Sequence, residues 1–224
     1  GLFEIVKNLF LPSPPSPVSP LPDIEEIQSS FFEDDDLATI QIGLPSDLEI
    51  DRETSEQFLL NLSYCSYPVS FEIVGTSEAI VPQITCRETD KHNIRHQIQA
   101  YFPQLILRED KDFLQEYWKD KEKTPVIVEF GLSKEFMLPL KRLRNFDVDP
   151  WIGIAGVLSH LKKGEIGVFQ VLFQKTAYPW AENIVRSVTD WEGESFFVDA
   201  PEMVPLAKEK IRRPLFASVV RIAG

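Results

Sequence analysis

The sequence predicts an α+β fold made of two tandem βαββαβ sandwiches, the second with a helical insertion. Three observations carry that expectation. Segments of period two alternate with segments of helical period across residues 37–224. The stretch 165–174, EIGVFQVLFQ, alternates strongly apolar and weaker positions, is β-branched and aromatic, and reads as a central strand. The order strand, helix, strand, strand, helix, strand then occurs in two successive blocks.

In the first block, residues 38–44 read as a strand. Residues 51–63 read as a helix with Phe58, Leu59 and Leu62 on one face. Residues 69–74 and 79–86 read as two strands joined by a turn at 75–77, with Pro82 marking an edge strand. Residues 88–102 form a helix with Ile94, Ile98 and Tyr101 at core spacing, and 104–108 close the block as a strand. This is the split βαβ order of a ferredoxin-like sandwich. A connecting helix is expected over 112–121.

In the second block, residues 125–132 read as a strand and 150–161 as a helix. Lys162-Lys163-Gly164 ends that helix with cations and then a glycine. Gly153 and Gly156 suit close packing of the helix on a sheet, in preference to a glycine-lined nucleic-acid loop. Residues 166–175 are the central strand, with Phe169, Val171 and Phe173 on one face and Val168 and Leu172 on the other. Residues 180–189 are the inserted helix, and Phe196-Phe197-Val198 is a short strand. A helix over 202–212 and a strand over 215–222 finish the chain. The expected domains are a 1–36 leader, ferredoxin-like domains over 37–110 and 125–224, and a connecting helix within 111–124.

The leader contains an amphipathic stretch at 2–11, then PSPPSPVSPLP at 12–22, which reads as a stiff polyproline-type spacer. A short helix over 24–32 and the solvated turn Glu33-Asp34-Asp35-Asp36 follow. The start at Gly1 without a methionine and the strand-like end read as an excised piece of a longer protein. No run of the sequence approaches the roughly 20 apolar residues of a membrane helix.

The net charge of −12 is unevenly placed. Residues 1–124 hold 10 basic and 23 acidic residues, a balance of −13, whereas 125–224 hold 13 and 12, a balance of +1. The acidic half repels a phosphate backbone, so nucleic acid could be met only by the second half. Its basic clusters are Lys141-Arg142-Leu143-Arg144 and Lys208 to Arg213. With Trp180, the arginines Arg142, Arg144, Arg212 and Arg213 are the candidate contacts for a partner or nucleic acid.

Other candidate chemistry is sparse. Cys65 and Cys86 have no metal spacing and read as small buried apolar residues in preference to a disulfide. His92 and His96 stand at i, i+4 on a predicted helix, a spacing that can hold a metal. With no third ligand nearby they read as an exposed polar face. Ser195 and His160 would pair only through the fold, and Asp190-Trp191-Glu192-Gly193-Glu194 reads as an acidic turn in preference to a cation loop. Gln170, Gln174, Tyr178, Trp180 and Asn183 could line a groove or mark strand and helix edges. The sequence has no P-loop, no Gly-x-Ser-x-Gly elbow and no His-Glu-x-x-His. No catalytic residue, cofactor or metal is expected.

Gly164-Glu165, the strand 168–174 and Pro179-Trp180-Ala181-Glu182-Asn183-Ile184 resemble a region upstream of the motor in HerA/FtsK-like ATPases of conjugation and type IV secretion, the TraG/TraD-like coupling proteins. Asp149-Pro150 with the helix of small and apolar residues, and the stretch 210–223, are similar to the same region. The resemblance covers 149–224 and is weak over 37–124. It implies a noncatalytic accessory region that acts in assembly and in substrate or partner contacts. The partners it implies are a downstream ATPase domain and neighbouring subunits, in an oligomer of the full-length protein. It also implies a bacterial, cytoplasmic location at the inner face of the membrane, with no membrane insertion by this stretch. A stand-alone protein-interaction module and an enzyme with an unrecognised site are the alternatives. The charge balance predicts weak duplex-DNA binding at most, lost at modest salt and dependent on Arg142, Arg144, Arg212 or Arg213. Fluorescence anisotropy across a salt series checks this, and salt-resistant binding would refute it.

Overall fold

The computed structural model describes residues 37–109, 112–118, 125–140, 149–176 and 179–224. All of them fall within one compact unit, residues 36–224. The expectations placed on 1–36, on Arg142 and Arg144, and on Tyr178 lie outside the described residues. The described elements run β1 (Leu37–Gly43), α1 (Arg52–Leu62), β2 (Val69–Thr76), β3 (Ile80–Arg87), α2 (Glu88–Tyr101) and β4 (Ile106–Arg108). They continue with α3 (Phe113–Tyr117), β5 (Ile127–Phe130), α4 (Pro150–Leu158), β6 (Ile166–Lys175), α5 (Trp180–Arg186), α6 (Met203–Lys210) and β7 (Phe216–Ala223).

The seven strands form one antiparallel sheet in the order β4-β1-β3-β2-β6-β7-β5. The fold is therefore α+β, with both blocks contributing to a single sheet. The seam is β2 against β6, registered over eight pairs from Val69↔Phe173 to Thr76↔Ile166. The first block supplies β4-β1-β3-β2, with α1 linking β1 to β2 and α2 linking β3 to β4. The second supplies three strands. The strand expected at Phe196-Phe197-Val198 is absent, and only Ser195 bridges to Thr189. The chain turns there instead, with the Ala200 amide donating to the Phe197 carbonyl at 3.3 Å.

Local signals explain the helix starts. The Asp51 carboxylate accepts from the Thr54 amide and hydroxyl at 2.8 and 2.9 Å, which caps α1 and holds that carboxyl below its usual range. Asp149 caps α4 through the Trp151 amide at 2.9 Å, with Pro150 in the first turn. Pro82 is a correction: β3 lies inside the sheet, not at its edge. The β1–β3 ladder ends at Gln41↔Gln83, so Pro82 stands just past it and keeps a partner only in Ile73 of β2.

One face of the sheet is apolar. Ile40, Ile42, Ile84, Cys86 and Val69 meet Leu62 of α1 and Ile94 and Ile98 of α2 in a buried cluster. Farther along the same face, Trp151 of α4 sets its ring edge-on to Phe169 (centroids 5.4 Å) and Phe71 (6.4 Å). Phe169, Val171 and Phe173 do share a face, paired with Ile73, Phe71 and Val69. They are half-buried, and Val168 is the one buried residue of β6.

The opposite face carries a polar row across all seven strands. Arg108 opposes Gln41, Gln41 opposes Gln83, and Gln83 opposes Glu72. Beyond the seam, Glu72 opposes Gln170, Gln170 opposes Arg221, and Arg221 opposes Glu129. Direct opposition places these side chains on one face. Glu72 is 3% exposed. Its carboxylate accepts from Gln83 at 2.7 Å, Ser70 at 2.7 Å, Gln170 at 2.9 Å and Thr85 at 3.3 Å, which compensates its desolvation. The segment that begins at Asp112 packs on this face, where the Phe113 amide donates to Gln83 and the Asp112 carboxylate accepts from it, at 3.2 and 3.0 Å.

The close approach expected at Gly153 and Gly156 is also corrected. A Cβ at either would meet nothing within 4 Å. The tight contacts lie on the strands, where Gly75 and Gly167 receive Leu158 of α4 at 2.8 Å from where a Cβ would stand. At Gly75 the obstructing atom is the Leu158 Cβ, close to backbone, whereas at Gly167 it is the mobile Cδ2. Gly75→Ala should therefore destabilise by about 1–3 kcal/mol and more than Gly167→Ala. Gly153→Ala and Gly156→Ala should each stabilise by up to about 1 kcal/mol. Urea unfolding of the four variants measures both signs.

Candidate partner-binding cleft

Trp180, Arg212 and Arg213 meet at the corner where β6 leaves the sheet and β7 enters it. The Thr176 amide donates to the Leu215 carbonyl at 3.3 Å, which holds the two strand ends together. Pro179 then starts α5 with Trp180 as its first residue, and Arg212 to Leu215 follow the end of α6. Between these segments is an open cleft of about 330 Å³, lined by Thr176, Pro179 to Ala181 and Ile211 to Leu215.

Helices α5 and α6 are positioned by a small core of Met137, Ile184, Val188 and Ala207, with Ile211 and Leu215 packed against it. Lys210 donates to the Phe136 and Leu138 carbonyls, tying the 136–138 segment to α6. Burial of that ammonium lowers its proton affinity. On the other side, the Phe173 and Phe216 rings meet edge-on at 5.8 Å, and Gln174 donates to the Ser66 carbonyl at 3.0 Å. The cleft thus sits on a braced corner.

Its charge is mixed. Arg213 reaches across to Glu56 of α1 at 3.1 Å, and Glu56 also holds Arg52 at 2.7 Å. Trp180 keeps 40% of its surface exposed. Trp180, Arg212 and Arg213 share the lining of this cleft, and an indole and guanidinium groups are side chains that stack and bind carboxylates.

The remaining sequence candidates are dispersed. Cys65 and Cys86 are free and buried in the apolar core, and burial raises their thiols to about 11 and about 12. Ser195 turns its hydroxyl to the backbone of Phe197, and His160 contacts Ser159 and the Gly156 carbonyl, so they form no dyad. Asp190 accepts from the amides of Glu192 and Glu194, closing its own turn. Gln170 belongs to the polar row and Gln174 to the Ser66 anchor, so the glutamines do not line the Trp180 cleft. Among the described residues no group of three or more His, Cys, Asp or Glu could hold a metal, and no helix is long and apolar enough to cross a membrane.

The sequence pointed to Trp180, Arg212 and Arg213 but missed Glu72 and Gln83. The one available signal was a polar side chain alternating with apolar ones in each strand, which reads equally as a solvent-facing position.

The cleft residues should be dispensable for folding. Arg213→Ala removes an exposed ion pair and should change stability by less than about 1 kcal/mol. Trp180→Ala should cost less than the roughly 3–5 kcal/mol of a core aromatic truncation. Denaturant unfolding checks both, and a core-sized loss would mark the corner as a packing element. No family model matches the chain, and no curated protein or solved structure matches it.

Proposed function

We propose that the chain is a noncatalytic accessory region of a DNA-translocating ATPase of the conjugation and type IV secretion class. It acts in assembly and partner contact through the Trp180–Arg212–Arg213 cleft. The observation that carries this reading is the convergence of those three residues on one braced corner. That corner lies within the stretch 149–224, which holds the family resemblance. In this reading the first block is a ferredoxin-like unit, and the second is a related three-stranded unit fused to it along the β2–β6 seam. The occupant of the cleft is an acidic segment of a neighbouring subunit or of the motor. Mixed charge at the rim, with Arg213 already held by Glu56, suits a peptide carboxylate better than a duplex backbone.

A second reading, a stand-alone protein-interaction module, draws support from edge strand β5. Its Ile127, Val128 and Phe130 are 57%, 49% and 43% exposed, a surface suited to strand addition.

The test compares the motor-bearing parent protein with and without residues 37–224. Deletion should impair oligomer assembly or DNA transfer and leave ATP turnover at the motor intact. Trp180→Ala with Arg213→Glu should reproduce part of that loss. Unchanged assembly and transfer after deletion would refute the proposal. ATP turnover by this chain alone would refute its noncatalytic character, because no segment of it offers a phosphate-cradling loop.

A further inference from the structure

We propose that helix α2 carries a two-histidine site for a borderline divalent transition ion of the Ni2+ or Zn2+ type. The His92 and His96 Nε2 atoms approach to 3.0 Å on the exposed side of the helix. The two rings stand nearly perpendicular, 81° apart with centroids at 4.3 Å. As it stands the contact is a hydrogen bond in which one ring donates to the lone pair of the other. The same pair of nitrogens has the bite of a chelate. At a metal–nitrogen length of about 2.05 Å, two nitrogens 3.0 Å apart subtend about 94° at an ion between them. That angle is a cis pair of square-planar or octahedral coordination, and a small rotation of the exposed rings brings both lone pairs onto the ion. Imidazole nitrogen suits nickel, copper and zinc, in preference to calcium or magnesium, which take oxygen.

The surroundings permit a cation. Lys91 and Arg95, the nearest positive side chains in sequence, are turned to Glu109 at 3.4 and 2.6 Å. Glu88, one turn before His92, also holds Lys91 at 3.4 Å, so that cation is balanced by two carboxylates. Water completes the coordination, because among the described residues no third ligand joins the pair. The ion would staple two turns of a helix whose opposite side supplies Ile94 and Ile98 to the core, at 0% and 1% exposure. Binding would therefore raise the stability of the folded chain.

The experiment titrates the untagged 224-residue chain with NiCl2 in a calorimeter and follows thermal unfolding with and without Ni2+. His92→Gln and His96→Gln are run alongside. Glutamine is a good helix former, so α2 persists in both variants, and circular dichroism verifies it. The expected result is one Ni2+ per chain, weakened by about tenfold or more in either variant, the scale set by partners that merely support a metal ligand. At equal Ni2+ concentration the unfolding midpoint should rise in the parent chain and rise distinctly less in both variants. Absence of saturable binding at millimolar Ni2+, or equal affinity in either variant, overturns the proposal.

Discussion

The ladder between β2 and β6 is the constraint on which the rest of the molecule depends. Eight residues of each strand are in register, so the two blocks cannot slide without turning every side chain of one strand to the wrong face. Glu72 opposes Gln170 near the middle of that ladder and is bonded to it. A slip by one residue would leave a buried carboxylate with apolar neighbours, a far larger penalty than the loss of one hydrogen bond. The polar pair thus specifies the register, while the flanking Phe71, Ile73, Val171 and Phe169 supply the apolar contact.

The same carboxylate organises the second face. Glu72 takes one proton of the Gln83 amide, Asp112 takes the other, and the Gln83 carbonyl receives the Phe113 amide. The Asp112–Phe113 segment is therefore tied to the sheet by a side chain whose two N–H groups and carbonyl all have partners. The opposite face needs no such device, because α1, α2 and α4 bury apolar side chains against it. The cleft at the β6–β7 corner is tied to both blocks. Its Arg213 reaches α1 of the first block, and its Leu215 belongs to the small core under α5 and α6.

Much of this was written locally. The central strand was legible to its end residues, Ile166 and Lys175, because Ile166, Val168, Phe169, Val171 and Phe173 crowd β-branched and aromatic side chains into a short run that has no helical period. Asp51, Asp149 and Pro150 announced two helix starts through capping chemistry that acts within three or four residues. Phe196-Phe197-Val198 misled because strand propensity reflects burial against neighbours, and no neighbouring strand lies there. Gly153 and Gly156 misled in the same way: a glycine marks a place where a side chain is missing, but not which element fills the space.

The sequence by itself determined the α+β class and, among the described residues, the order of every predicted element but the strand at Phe196-Phe197-Val198. Those features follow from periodicity, capping and local charge, which act over a few residues. Tertiary structure alone decided that both blocks share one sheet, that Leu158 is received by Gly75 and Gly167, and that Glu72 lies at the centre of a polar row. The Leu158–Gly75 contact and the β2–β6 pairing join residues some 80–100 positions apart, and the polar row is covered only where the distant segment at Asp112 and Phe113 packs on it. No local pattern encodes which strand lies beside which, because any edge of any strand carries the same backbone donors and acceptors.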